Sequence, residues 1–142
     1  MKILVDTNVI IDALTSREPY REVAEQIFLY AAYHEKSMYI TASSATDIYY
    51  LVRKHLHSTA QAKNAMAKLY ELFQILDVDS QDCKKALDTD MKDYEDAVVS
   101  CCAKRHQMDC IVTRNISDYE HSEVSAVLPD EFIRLNFPQE NS

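Results

Sequence analysis

Four aspartates, Asp6, Asp47, Asp96 and Asp118, have the type and spacing to do chemistry, and each lies at the edge of an element. Asp6 ends the apolar run Ile3-Leu4-Val5, whose β-branched members suit a strand buried on both faces. Asp47 stands three residues after Ser44, in the first turn of an expected helix. Asp96 falls three residues after Asp93, so the two share one face at a helix start and can point into one cleft. Asn115 and Asp118 follow the strand-like Ile111-Val112-Thr113. Oxygen ligands without His or Cys select a hard cation, Mg²⁺ or Mn²⁺, in preference to Zn²⁺. Such a site suits phosphodiester hydrolysis: the cation activates water, and it or a second ion stabilises the leaving oxygen. Packed carboxylates repel one another, which raises one or more pKa values in the cation-free state and favours cation uptake.

Each residue also has a purely structural explanation. Asp6 can cap the helix that follows or accept a turn hydrogen bond, and Asn8 is itself a good N-cap. Ser44 and Asp47 fit a capping pair. Acids in a first turn, Asp93 and Glu95 among them, are stabilised by the helix dipole. Asn115 and Asp118 can shape a turn. What favours the cation is that four separate elements deliver acids or amides to the same edge of one sheet.

That edge exists only if the elements between these residues form parallel β-α units. Val23, Ala24, Ile27, Phe28, Ala31 and Ala32 recur at helical spacing after a start near Thr15–Pro19. Met38–Thr41 is a short strand candidate. Ser43 and Ser44 open a helix that turns Ile48, Leu51 and Val52 inward. Ser58–Thr59 starts the next, with Ala62, Ala65, Met66, Leu69 and Phe73 on its apolar side. A strand over 75–78, a helix over 80–87, a polar break over 88–93 and a helix over 94–106 follow. Cys110–Thr113 is strand-like, Ala126–Leu128 is a further strand candidate, and Pro129–Phe132 is a final helical turn. Strands separated by one or two helices imply right-handed crossovers. The fold class expected is α/β, a three-layer α/β/α domain with a short parallel sheet of four or five strands, over residues 1–137, with 138–142 a loose tail.

Composition narrows the classes further. At 142 residues, 47% hydrophobic and 27% charged, the chain reads as one globular domain. It contains no glycine, which excludes the G-x-G-x-x-G and Walker A phosphate cradles. Backbone positions of positive φ are then expected at Asn, Asp or His. No membrane-length apolar run and no signal peptide are evident, which implies a cytoplasmic location. The four cysteines form no C-x-x-C pair, so buried free thiols are expected and zinc is not. A net charge of −8 opposes binding to a phosphate backbone, although Arg53-Lys54-His55-x-His57 and Lys104-Arg105-His106 offer limited basic contacts.

Taken in order, Leu4-Val5-Asp6-Thr7-Asn8-Val9-Ile10-Ile11-Asp12, Tyr94-Glu95-Asp96-Ala97, Ile111-Val112-Thr113-Arg114-Asn115-x-x-Asp118-Tyr119 and Leu128-Pro129-Asp130-Glu131-Phe132 resemble a PIN domain over nearly the whole chain. The resemblance implies an Mg²⁺- or Mn²⁺-dependent ribonuclease acting on RNA, of the kind found as VapC-like toxins paired with an antitoxin protein, commonly as homodimers. By position it assigns the catalytic acids to Asp6, Asp96 and Asp118 and the cation to Asp6, Asp47, Asp96 and Asp118. Asn8, Asp93, Thr113 and Asn115 are placed in support. The departure is Asp47, where many toxin members carry the longer Glu. Antitoxin docking is expected on the helical region from Pro19 to Leu72, with Tyr49-Tyr50 either there, stacked on bases, or packed in the core. Two alternatives stand beside the nuclease: a PIN-like domain that binds RNA or protein and cuts little, and an aspartyl-nucleophile phosphohydrolase. Asn8 opposes the second, since that chemistry usually has another Asp two residues beyond the first.

Overall fold

The computed structural model describes residues 1–137; the expected loose tail, Pro138–Ser142, lies outside the described residues. Five short parallel strands run β1 (Ile3–Val5), β2 (Met38–Thr41), β3 (Gln74–Leu76), β4 (Cys110–Val112) and β5 (Ala126–Val127). Their order in the sheet is β3-β2-β1-β4-β5. Helices α1 (Thr7–Leu14) and α2 (Arg21–Tyr33) link β1 to β2, α3 (Ala42–Leu56) and α4 (Thr59–Leu72) link β2 to β3, and α5 (Ser80–Ala86) and α6 (Tyr94–Arg105) link β3 to β4. A 3-10 turn at Ile116–Tyr119 leads toward β5, and α7 (Pro129–Asn136) closes the described chain.

The period of two along β1 creates the three layers. Ile3 and Val5 enter a core shared with Val9, Ile10, Ile27, Ile48 and Leu69 on one side of the sheet. Leu4 points the other way, into a cluster with Val99, Cys102, Ile111 and Tyr119. Strand order changes direction around β1: the chain builds β2 and β3 on one side, then returns to lay β4 on the other. Ligands in open α/β sheets bind at such a switch, outside the carboxyl ends of the strands. The register Val5↔Val112 sets Asp6 beside Thr113 at this crevice.

Several local expectations change. Asp6, not Asn8, caps α1: its backbone is extended at φ −73° and ψ 154°, and its side chain accepts from the Thr7 N–H. The Ser44–Asp47 pair is not the cap of α3; Thr41 is, accepting from the Ser44 N–H at 3.1 Å. A Thr directly at the strand end outcompetes the serines further on, because only a residue with extended backbone can take the N-cap position. The strand expected over 75–78 ends at Leu76, and the final helical turn extends to eight residues behind Pro129 at its start. Positive φ falls at Ser16, Lys36, His57 and Gln107, so only His57 belongs to the expected residue types. Cys102 is buried, but Cys83 is exposed and Cys101 and Cys110 are half-buried. Among the described residues, no helix is long and apolar enough to cross a membrane.

Candidate active site

Asp6 is held by donors from three directions. The Thr7 N–H donates to Oδ1 at 2.9 Å, and the Thr113 hydroxyl donates to Oδ2 at 2.8 Å. Asn8 Nδ2 reaches Thr113 Oγ1 at 3.2 Å and Asp6 Oδ2 at 3.4 Å, while Asn8 Oδ1 accepts from the Arg114 N–H at 3.2 Å. The Asn115 N–H in turn donates to Thr113 Oγ1 at 3.1 Å. Asn8 and Thr113 thus tie the ends of β1 and β4 together beneath one carboxylate. Burial raises the Asp6 pKa, the bonds from Thr113, Thr7 and Tyr119 oppose the rise, and the charge of Asp118 adds to it.

Asp96 meets Asp6 from the first turn of α6. The helix begins there because the Asp93 side chain caps it, accepting from the Asp96 N–H at 2.9 Å. The hydroxyl of Tyr119 donates to Asp96 Oδ1 at 3.3 Å. Asp6 and Asp96 line the same cleft, close enough for the charge of Asp6 to act on Asp96. Burial, followed by the charges of Asp6 and Asp93, pushes the Asp96 pKa up to about 7.

Asp47, on α3, opens into the same cleft of about 430 Å³, with Asp6, Asp96, Ser43, Tyr50 and Glu95 also on its walls. Glu95 lines the cleft with Asp47, and the neighbouring Asp47 carboxyl, then burial, raise the Glu95 pKa to about 7. Asp118 is exposed on the 3-10 turn, and its charge is felt by both Asp6 and Asp96. The Asp93 carboxylate serves the helix cap, and Asn115 contributes its backbone N–H.

Sequence reasoning missed two residues here. Glu95 was explained away by the helix dipole, and its pairing with Asp47 depends on a distance between α3 and α6 that no local pattern encodes. Tyr119 carries one readable signal, a hydroxyl directly after a candidate ligand. Tyr50, favoured for core packing, is 77% exposed at the cleft. The basic group Lys104-Arg105-His106 is turned to internal use: Arg105 makes a two-armed pair with Asp82 at 3.0 Å, and His106 lies 3.0 Å from the Asp77 carbonyl.

The cleft offers carboxylates and hydroxyls and no His or Cys, a donor set that fits a hard divalent cation. Among the described residues, no three His, Cys, Asp or Glu side chains are closed around a single point as ligands.

Acids at the switch point of a five-stranded parallel sheet define the class of protein, and sequence comparison gives the family. A PIN domain profile matches residues 2–117, most of the chain, and the protein belongs to the PIN domain family. The match stops one residue before Asp118. The fold is similar to a toxin–antitoxin complex from Klebsiella pneumoniae, with a TM-score of 0.67 and 20% identity over 90% of this chain and 98% of that one. It is similar to VapBC2 from Rickettsia felis bound to a DNA fragment from their promoter, with a TM-score of 0.67 and 14% identity over 90% and 98%. FitAcB from Neisseria gonorrhoeae matches with a TM-score of 0.63 and 20% identity over 89% and 97%. Comparison with curated proteins gives no match.

Proposed function

We propose that this PIN domain is a divalent-cation-dependent endoribonuclease, with Mg²⁺ or Mn²⁺ held by Asp6 and Asp96 and joined by Asp118 and Asp47. The observation that carries the reading is that Asp6, Asp47 and Asp96 line one cleft with no His or Cys on its walls. The bound cation would supply an activated water and charge stabilisation at the phosphorus. The chain's own residues set the stage for it. Asn8 and Thr113 fix the Asp6 carboxylate, Asp93 and the α6 N-terminus hold Asp96, and the Asn115 backbone anchors the turn that presents Asp118. The Asp47–Glu95 pair lies at the cleft where substrate enters, and Tyr50 offers an exposed ring for an unpaired base. Manganese-dependent cleavage of a mixed RNA pool, falling to background in Asp6→Asn and in Asp96→Asn, is the expected result. Equal cleavage by wild type and both variants would remove the proposal.

A toxin–antitoxin complex among the similar folds supports a toxin role with an antitoxin protein as partner; a homodimer is the working form we propose. The antitoxin would dock in the apolar groove of about 520 Å³ between α3 and α4, against Tyr49, Tyr50, Met66 and Tyr70. A second reading, a PIN-like domain that binds RNA or protein and cuts little, has one observation in its favour. No three acids are drawn together at ligand distance among the described residues. A protein that retains RNA but leaves it intact at saturating Mn²⁺ would decide for it.

A further inference from the structure

Tyr119 is only 3% exposed, and its ring packs in the cluster with Leu4, Val99 and Ile111. Packing alone requires no oxygen there, since a phenylalanine would fill the same volume. A buried hydroxyl is costly unless bonded, and this one donates to Asp96 Oδ1 at 3.3 Å. The two acids differ in what else holds them. Asp6 has the Thr7 N–H on one oxygen and the Thr113 hydroxyl on the other. Asp96 receives, among the described residues, no side-chain or backbone donor but Tyr119, at Oδ1. Its second oxygen has no hydrogen-bond donor among the described residues, and Asp96 lines the cleft.

We propose that Tyr119 is a positioning residue for the cation: its hydroxyl fixes the Asp96 carboxylate through Oδ1, leaving the other oxygen of Asp96 to bind the ion. The inference rests on the reading of Asp6 and Asp96 as cation ligands. Groups that hydrogen-bond to ligating carboxylates typically change metal affinity by about 10- to 100-fold when removed. The test is titration of Mn²⁺ into the metal-free protein, followed by electron paramagnetic resonance of the free ion. Thermal melting of the same metal-free samples runs alongside. Tyr119→Phe should weaken Mn²⁺ binding about tenfold or more, with the metal-free melting temperature little changed. Val124→Ala, which loosens the same apolar cluster without touching a carboxylate, serves as the packing control and should bind as wild type does. Equal affinity in wild type and Tyr119→Phe overturns the inference while leaving the cation reading in place. An equal loss in Val124→Ala also overturns it, because packing would then explain the effect. A wild type that takes up no Mn²⁺ removes both.

Discussion

Asp96 and Glu95 carry the crowding of this site as a measurable pH dependence. Both carboxyl groups are raised to about 7 in the folded protein, Asp96 by burial first and Glu95 by the neighbouring Asp47 carboxyl first. Between the ordinary carboxyl range and about 7 the folded chain therefore holds protons that the unfolded chain has released. Stability of the metal-free protein then falls as pH rises through that window. Melting curves should show a lower midpoint at about pH 8 than at about pH 5, with a smaller drop in Asp96→Asn; a flat or rising profile would contradict the site geometry. Cation binding must also displace those protons. Calorimetry at about pH 6 in buffers of different ionisation enthalpy should register proton release, and at about pH 8 little or none. At this scale the sequence marks Asp6, Asp96 and Asp118 as candidates because each borders an element. Glu95 and Tyr119 come beside Asp47 and Asp96 only through the packing of α6 and the 3-10 turn.

Two features belong to whole elements. The exit of β4 is clamped by a buried ion pair, Arg114 Nε to Asp12 Oδ2 at 2.6 Å, with the guanidinium 4.0 Å over the Tyr20 ring. This pair joins α1 to the loop that bears Asn115 and Asp118. Asp12→Ala leaves a largely buried guanidinium without its carboxylate and should cost about 3 kcal/mol or more, read from chemical denaturation. The second feature follows from the missing glycines. Ser16, Lys36, His57 and Gln107 lie just past the ends of α1, α2, α3 and α6, where a left-handed residue usually ends a helix. A side chain there costs roughly 1–2 kcal/mol, partly offset by glycine's greater freedom in the unfolded chain. Gln107→Gly should raise the melting temperature by a few degrees, and a decrease would contradict this account of the helix exit.

Elements were legible where period and boundary agreed. The strands at Ile3–Val5 and Cys110–Val112 and the long amphipathic helices follow from apolar spacing alone. Caps were harder, because Asp6, Asn8, Thr41, Ser43 and Ser44 are all competent N-caps. Only the point where extended backbone turns helical selects among them.

At the scale of the molecule, the order β3-β2-β1-β4-β5 is what makes one site from dispersed acids. β-α alternation announced a parallel sheet but not which strands are neighbours, so the partnership of Asp6 with Thr113 was invisible until β4 lay beside β1. Charge shows the same limit. The net −8 is real, yet three acids of α5 and the turn before it, Asp77, Asp79 and Asp82, surround Arg105 rather than the cleft. Arg105 and His106 are therefore engaged within the fold, while Lys104 stays exposed. The exposed end of α3 adds Arg53 and Lys54 as accessible cations. At the centre is one place, the cleft that Asp6 and Asp96 both line. Crystals grown with Mn²⁺ and measured for anomalous scattering address it directly. The result expected is a peak about 2.0–2.6 Å from an oxygen of each carboxylate. A peak elsewhere on the molecule, or none at saturating Mn²⁺, would contradict it.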